Sequence, residues 1–518
     1  MSHKDLPRVT YFNTDLDMSG IHALFDAEFP KFRAMLQQMP EAWFIGEKNF
    51  RAETYDVVSP IDRDLKLGLM EETSAFAVEQ QVNAARHARA EWEALGFAGR
   101  IKLLRQAADE LRSQRFHIGL CLVLEVGKSR AEAMGEVEEA IDMIEAYCAQ
   151  AEGNDGFSHK MKAVGEESGV DLLRPYGAFA IIAPFNFPLA LSVSMISAAL
   201  LMGNTVVFKP TQHAIFSAAA LRDIFRHLPP GVFNMVTGSA AVGAALAGSA
   251  VDGIAFTGSR TVGMQLLRDV AGGDYMRPVV AELGGKNATF VCGSADVAIA
   301  AKAVVRAAFG LSGQKCSACS KVYVARSIAD AFCARLVEEA QSLTIGDPQL
   351  AGTFMGPVIN EAAATRFAEA VNTVDSQHIL TGGARLTGGL YDRGHYLSPT
   401  ILRGLPADHD INRRELFVPL LSVLEMDDLQ SAIDDANQVP YGLTAGLYTK
   451  RADERDLFLS RHEAGVMYVN RPSASTTGAW PGYQGFCGWK GSGLSGKGGL
   501  GPHYLGQFGR EQSRTVYP

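Results

Sequence analysis

Between residues 179 and 283, short apolar strand patterns alternate with helical segments. The strand patterns cover residues 179–184, 205–210, 233–238, 253–258 and 278–283. Each segment between them is long enough for a helical crossover, so the alternation predicts right-handed βαβ units and a mostly parallel, doubly wound sheet. Ligands of such sheets bind beyond the carboxyl ends of the strands. Residues that end these strands are therefore the first candidates for a site.

A second α/β pattern begins at residue 287. It has helical patterns at 295–309, 328–343 and 361–374, and strand patterns at 321–325, 416–424, 442–448 and 465–470. N-terminal to both α/β patterns, residues 74–151 show helical patterns. Residues 1–50 form an arm with one helical pattern at 21–36. Residues 152–174 predict a hairpin that stands off the body. We expect two doubly wound α/β domains.

Composition excludes several classes of partner. The 518 residues carry a net charge of −9 without a basic tract, so we expect no nucleic acid. The most apolar segment, residues 187–202, contains Pro188 and serines and predicts a buried helix, so we expect no membrane. The N-terminus lacks the apolar run of a signal peptide, and seven cysteines, an odd number, suit a reducing cytoplasm.

Cys316 lies in a loop of small and polar residues between a helical pattern and a strand pattern. Gly310 and Gly313 would let a substrate approach the backbone, so Cys316 is a candidate nucleophile. The alternative is that Cys316 and Cys319 form a redox or metal-binding Cys-x-x-Cys pair. Because no second pair and no His-x(3–5)-His follows, we expect no metal site. The loop alone leaves a catalytic and a structural thiol equally supported.

Strand ends of the first unit could hold a dinucleotide. Gly258, Ser259 and Gly263 follow a strand and open a helix, whose free N–H groups could bind a pyrophosphate. The same Gly-x(4)-Gly spacing recurs at 238–243, so the signal is weak. Lys209 ends another strand and could reach a ribose or phosphate, although a strand-end lysine is more often a solvated charge.

Two further strand ends carry polar groups suited to catalysis. Asn186 could donate its amide N–H to an oxyanion, and Phe185 beside it could wall a tunnel; a turn asparagine is the alternative. Glu282 ends an apolar strand, where burial would raise its pKa and suit it to general-base catalysis; an ion pair is the alternative. With thiolate Cys316 these groups describe aldehyde oxidation through a thioester that Glu282 helps to hydrolyse.

The motifs Pro-Phe-Asn-Phe-Pro, Phe-Lys-Pro, Phe-Thr-Gly-Ser, Glu-Leu-Gly-Gly-Lys and Gly-Gln-x-Cys resemble the aldehyde dehydrogenase superfamily over residues 50 to 510. The resemblance implies an NAD(P)-binding domain (51–151 and 174–282), a catalytic domain (283–490) and an oligomerisation flap (152–173 and 491–518) behind an N-terminal arm (1–50). By the same resemblance, the cofactor site includes Pro184, Glu415 and Phe417.

Residues 135–140, 154–157, 315–320 and 477–488 are similar to the pyrroline-5-carboxylate (glutamate semialdehyde) dehydrogenase branch. This resemblance implies that glutamate semialdehyde is oxidised to glutamate and that its carboxylate is bound by Ser317, Gly478 and Ala479. It also places Glu136 near the aldehyde and Phe486 in the substrate site. A homodimer or larger homo-oligomer and a proline dehydrogenase partner are further implications.

The chain departs from that branch in places. Residues 472–487 contain Trp480-Pro481, Gly485 and Cys487, so another semialdehyde or an aliphatic or aromatic aldehyde is an alternative substrate. Gln212 replaces a glutamate of many NAD-selective members, so we expect NAD as cofactor with NADP tolerated. A catalytically silent binding protein is a rival of another class, which the set Cys316, Glu282 and Asn186 argues against.

Overall fold

The structure is a computed structural model that describes residues 6–11, 13, 16–38, 44–45, 53–273, 275–472 and 479–518. Its helices are α1 (Ser19–Gln38), α2 (Ala75–Ala94), α3 (Gly96–Val126), α4 (Arg130–Gly153), α5 (Ala190–Leu201), α6 (Ile215–Ile224), α7 (Ala240–Gly248), α8 (Arg260–Ala271), α9 (Val297–Phe309), α10 (Ala329–Gln341), α11 (Glu361–Asn372), α12 (Asp410–Arg413), α13 (Leu429–Asn437) and α14 (Ala452–Arg461).

The strands are β1 (Phe44–Ile45), β2 (Thr54–Val58), β3 (Lys66–Glu71), β4 (Ser158–Lys160), β5 (Ser168–Pro175), β6 (Ala178–Ile182), β7 (Thr205–Lys209), β8 (Phe233–Met235), β9 (Gly253–Thr257), β10 (Val279–Glu282), β11 (Asn287–Val291), β12 (Cys319–Ala325), β13 (Ile379–Thr381), β14 (Thr400–Arg403), β15 (Leu420–Met426), β16 (Tyr441–Gly442), β17 (Thr444–Tyr448), β18 (Val466–Val469), β19 (Trp489–Lys490) and β20 (Gly509–Val516).

The alternation in the first half forms a parallel sheet in the order β10-β9-β6-β7-β8. In its register Glu282 lies beside Thr257, and Ile182 lies beside Lys209. Lys209, Thr257 and Glu282 are each the last residue of their strand, and parallel strands end at the same edge of a sheet. One edge therefore carries the candidate base and the candidate cofactor ligands.

The second half forms a sheet in the order β13-β14-β15-β12-β11-β17-β18, parallel except for the antiparallel edge strand β13. Cys316 precedes β12 by three residues, so it lies at the amino end of a strand, whereas Glu282 lies at the carboxyl end of one. Two sheets thus present opposite ends to a common site.

Some strand predictions were wrong. Residues 416–419 are not a strand, because Phe417 has a φ of 59°, which an extended chain cannot contain. The predicted strand 442–448 is divided, since Gly442 pairs with Trp489 in a separate ribbon while β17 joins the large sheet. The small sheet β1-β3-β2 was not predicted.

The hairpin and the last strand form an antiparallel sheet in the order β20-β5-β4, with β20 paired along β5 from Gly509 beside Pro175 to Val516 beside Ser168.

The N-terminal arm packs into the main body of the protein, because Phe25 and Phe29 of α1 are buried in the same apolar core as Val123 of α3 and Ile144 of α4. Within the described ranges, we find no helix with the length and apolarity to cross a membrane.

Candidate active site

A cavity of about 270 Å³ brings together the predicted nucleophile and the predicted base. Among the predicted site residues, Cys316, Glu282, Ser317, Ala479 and Phe486 line it. The rest of the wall includes residues of the arm and of α4 and α5, as well as Gly499, Leu500 and Tyr504 near the last strand. The cavity is therefore built from parts of the chain that are far apart in sequence.

An unusual backbone shapes the loop before Cys316. Leu311, Ser312 and Gly313 have φ values of 49°, 54° and 71°, in the left-handed region that side chains with a Cβ disfavour. A Cβ on Gly313 would lie 2.4 Å from the carbonyl oxygen of Val418, so only glycine fits there. Ser312 Oγ donates a hydrogen bond to the Gly356 carbonyl oxygen at 2.7 Å, which attaches this turn to the neighbouring chain.

Three side-chain amides hold this loop in place. The side-chain oxygen of Gln314 accepts a hydrogen bond from the N–H of Ile359 at 2.9 Å. The backbone carbonyl oxygen of Gln314 accepts one from Asn186 Nδ2, also at 2.9 Å. Asn287 Nδ2 donates to the carbonyl oxygens of Cys316 (2.7 Å) and Ala318 (2.9 Å). The backbone on both sides of Cys316 is thereby fixed, which is what a positioned nucleophile requires.

The Cys316 thiol is protonated in this state. Burial raises its pKa to about 12, and the carboxylates of Glu415 and Glu282 act in the same direction. The backbone N–H groups of Ser317 and of Cys316 itself lower it, but by less. A proton acceptor is therefore needed before this thiol can attack as a thiolate.

Glu282 has the environment of a general base. Burial raises its pKa well above the usual value, while the backbone N–H of Gly488 acts against this shift. Its Oε2 is buried and, among the described residues, has no hydrogen-bond partner. A Cβ on Gly498 would lie 2.4 Å from Oε1, so a glycine is needed where the chain passes this carboxyl. An unpartnered oxygen in the cavity wall can accept a proton from water or thiol.

The predicted pyrophosphate site is a formed helix terminus. Ser259 caps α8 by accepting a hydrogen bond from the N–H of Val262, and α8 is 12 residues long. Gly258 and Gly263 allow close packing, since a Cβ on either would lie 2.4 Å from Phe256 or Leu283, respectively. Lys209 is 6% exposed and donates to the Pro210 carbonyl at 3.0 Å.

The predicted nicotinamide contacts lie beside the glycines that follow Glu282. Glu415 Oε1 accepts a hydrogen bond from the Gly285 N–H at 2.9 Å, and burial raises the pKa of Glu415 to about 7. Phe417 and Phe185 meet edge to face with ring centroids 5.9 Å apart. Gln212 is exposed and Pro184 is half-buried.

Glu136 is held by structural partners. It forms an ion pair with Lys128 at 2.7 Å in which both side chains have no exposed surface, and its Oε1 accepts from the N–H groups of Leu189 (2.9 Å) and Ala190 (3.1 Å). Among the described residues Glu136 does not line the cavity, whereas Glu132 and Glu139 of the same helix do.

The comparisons with known proteins agree with this geometry. Residues 47–512 match the aldehyde dehydrogenase family. The chain belongs to the aldehyde dehydrogenase family. It is 32% identical over 494 residues to the 1-pyrroline-5-carboxylate dehydrogenase of Staphylococcus epidermidis, covering 93% of this chain and 94% of the relative. The predicted family and fold class are thus confirmed.

Two solved structures are also similar to this aldehyde dehydrogenase. A 1-pyrroline-5-carboxylate dehydrogenase from Thermus with bound NAD has a TM-score of 0.89 at 28% identity, with both chains covered to 100%. Proline utilization A (PutA) from Bdellovibrio bacteriovorus has a TM-score of 0.88 at 31% identity, covering 96% of this chain and 51% of that one. The chain thus spans about half of the latter protein.

Gly478 lies outside the described residues, so the structure does not place the whole predicted carboxylate site of this aldehyde dehydrogenase. Conversely, the structure reveals three residues that the sequence analysis missed: Asn287, Glu139 and Tyr11. Glu132, Glu139 and Met143 recur at helical spacing and line one cavity, so their spacing could have revealed Glu139. Tyr11 has no such local signal.

Proposed function

We propose that this chain oxidises L-glutamate gamma-semialdehyde, the open form of pyrroline-5-carboxylate, to glutamate with NAD as cofactor. The observation that carries the proposal is that Cys316, Glu282 and Ser317 line one cavity. The names of the relatives supply the substrate class.

Cys316 is the proposed nucleophile. Its sulfur forms a bond to the aldehyde carbon, and its proton passes to water. The developing oxyanion would be held by the backbone N–H of Cys316 and by Asn186. An amide nitrogen has two N–H donors, and the bond to the Gln314 carbonyl uses one of those on Asn186. Among the described residues the second Asn186 N–H has no partner, and we assign it to the oxyanion.

Glu282 is the proposed base for hydrolysis. The thioester on Cys316 needs a water whose proton is removed as the oxygen attacks, and the unpartnered Oε2 of Glu282 provides the acceptor. The product acid then leaves with the oxygen from water, and the Cys316 sulfur takes back a proton. Burial, which raises the pKa of Glu282, makes it a stronger base than an exposed carboxylate.

The residues present fit a dinucleotide. The α8 terminus at Ser259, with Gly258 and Gly263, offers free N–H groups for a pyrophosphate. In this proposal Lys209 and Gln212 would bind the ribose, and Glu415 and Phe417, with Pro184 and Phe185, would hold the nicotinamide end. When bound, NAD accepts the hydride from the aldehyde carbon.

Ser317, Ala479 and Gly478 form the proposed carboxylate site, and Phe486 its apolar wall. The Ser317 hydroxyl and loop N–H groups suit a carboxylate without a dedicated arginine. Ser317 and Ala479 are 9% and 6% exposed, so a ligand that they bind is largely shielded from water.

The deciding experiment is steady-state NADH production from pyrroline-5-carboxylate, succinate semialdehyde and propanal. We expect kcat/KM to be highest for pyrroline-5-carboxylate, because its open form carries an aldehyde for Cys316 and the α-carboxylate that the resemblance assigns to Ser317, Gly478 and Ala479. A preference for either of the other two would contradict the narrow substrate and leave aldehyde oxidation intact. Repeating the assay with NADP and with Gln212→Glu, which adds a repulsive carboxylate, tests cofactor choice.

The role of Cys316 is tested by Cys316→Ser, with Cys333→Ser on α10 as the matched control. We expect the first variant to lose about 10³-fold or more in kcat, because a serine hydroxyl is far less ionised than a thiol. The control should retain wild-type kcat. Full activity in Cys316→Ser would contradict the assignment.

Domain division, assembly and location are part of the proposal. The boundaries 51–151 and 174–282, 283–490, and 152–173 with 491–518 are supported by the two separate sheets and by the sheet β20-β5-β4. That last sheet is the proposed contact in a homo-oligomer. A cytoplasmic location is supported by the seven free cysteines. The likeness to half of proline utilization A supports a proline dehydrogenase partner.

A further inference from the structure

The arm supplies part of the wall of the cavity that holds Cys316. Its contributions are Val9, Thr10, Tyr11, Asn13, Leu16 and Met18. The family match begins at residue 47, so this wall comes from outside the segment that identifies the family. A wall of the substrate cavity decides which substrates fit, so the arm can contribute to substrate selectivity.

Tyr11 is the best-anchored of these arm residues. Its hydroxyl donates a hydrogen bond to Glu139 Oε2 at 2.9 Å, and Glu139 also lines the cavity. Its ring meets the Trp480 ring edge to face, with centroids 5.3 Å apart at 80°. Trp480 is 5% exposed, and its Nε1 donates to Asp142 Oδ2 at 2.6 Å. Helix α4 thus holds both rings.

The backbone around Tyr11 is also attached to the body. Arg115 of α3 donates to the Leu6 carbonyl and pairs with Glu138 at 2.9 Å. Leu6 and Val9 are each 5% exposed, and Arg8 lies over the Trp480 ring at 5.9 Å. A wall residue that is anchored at its hydroxyl, its ring and its flanking backbone can move aside for a larger ligand only at a cost in free energy.

We propose that Tyr11 is a specificity-determining residue whose ring limits the size of the aldehyde side chain that the cavity accepts. The inference rests on the proposed aldehyde oxidation. It also gives Trp480, a departure from the related branch, a role: its ring supports Tyr11 from the side of the substrate loop. Small aldehydes fit beside the Tyr11 ring, and bulky aromatic aldehydes do not.

The test compares Tyr11→Ala, Tyr11→Phe and the matched control Tyr275→Ala, which removes a tyrosine that is 70% exposed. The readout is the ratio of kcat/KM for phenylacetaldehyde to that for propanal. We expect the ratio to rise about tenfold or more in Tyr11→Ala, as is typical when a pocket wall is removed. Tyr11→Phe keeps the ring and should stay within about twofold of wild type, as should the control.

Several outcomes overturn the proposal. An unchanged ratio in a folded Tyr11→Ala means that the ring does not limit size, and an equal rise in Tyr11→Phe means that the hydroxyl rather than the ring is responsible. If Tyr11→Ala does not fold, Tyr11→Leu replaces it and should show the same rise. A wild-type protein that oxidises no aldehyde overturns the proposed function as well, whereas equal ratios in active variants overturn only the role of Tyr11.

Discussion

Glu282 and Glu136 both have a buried carboxyl oxygen near the candidate active site, although the Glu282 side chain as a whole is half-buried. The surroundings of the two carboxyl groups differ. Among the described residues Glu282 Oε2 has neither a hydrogen-bond nor an ion-pair partner. In contrast, Glu136 Oε2 lies 2.7 Å from Lys128 Nζ, and Glu136 Oε1 accepts from two backbone N–H groups at the start of α5. A carboxyl that is fully engaged stabilises structure, and one that is left unengaged can do chemistry. Burial alone does not distinguish the two roles.

The largest effect should come from Glu282→Gln. We expect turnover to fall by about 10²–10⁴-fold while the first burst of NADH is retained, because hydrolysis loses its base and thioester formation does not. Rapid-mixing kinetics measure both phases. In the wild type, lowering the pH through the raised pKa of Glu282 should slow turnover as the base is protonated, and the variant should lack this dependence. Loss of the burst would move Glu282 to an earlier step.

Breaking the Glu136 pair should mainly affect stability. We expect Glu136→Gln to lose about 3–5 kcal/mol, because Lys128 is left buried without its counter-charge. Thermal unfolding midpoints measure the loss, and adding Lys128→Met should recover part of it. Glu145→Gln on the same helix is the control, since its side chain is 37% exposed and its ion pairs contribute at most about 1 kcal/mol. An unchanged midpoint with a raised KM would instead make Glu136 a substrate contact.

Glu139 is a third buried carboxyl, and it should make stability depend on pH. Burial raises its pKa to about 7, so between pH 4.5 and 7 the folded protein keeps a proton that the unfolded chain releases. Stability contributed by this group is therefore lost as the pH rises through that window, by about 3 kcal/mol. Glu139→Gln should flatten the pH profile of the unfolding midpoint by that amount. The same slope in the variant would assign the dependence to other groups.

The smallest effect concerns the start of α4, the helix that carries Glu136 and Glu139. Ser129 forms a capping box with Glu132, so Ser129→Ala should cost about 1 kcal/mol. Ser113→Ala, at an exposed position on α3, is the control and should leave the midpoint unchanged. A loss well above this value would show that Ser129 also positions Lys315 through Glu132, with which Lys315 pairs at 2.8 Å.

Sequence patterns predicted the parts of this molecule that depend on local order. The strands β6 to β10 were predicted because apolar runs with regular crossovers leave few alternatives. Cys316 and Glu282 were named because each follows or ends a regular element. The fully buried Lys128–Glu136 pair could not be predicted, because a lysine and a glutamate in a helical sequence are usually exposed.

Other features depend on contacts between distant residues. Tyr11 meets Glu139 across 128 residues of sequence, and no periodicity in the arm indicates such a contact. Residues 416–424 were predicted as one strand, but Phe417 has a φ of 59°, and the neighbouring Val418 carbonyl lies against Gly313 of the Cys316 loop. Tertiary structure overrides local propensity most where a site is assembled.

One nitrogen atom, Asn287 Nδ2, holds the backbone of the loop around Cys316 in position. This nitrogen donates to the carbonyl oxygens of Cys316 and Ala318, and Asn287 Oδ1 accepts the Thr444 N–H at 3.0 Å. An aspartate in place of Asn287 would set a carboxylate against two carbonyl oxygens, and the backbone on both sides of the thiol would lose its attachment.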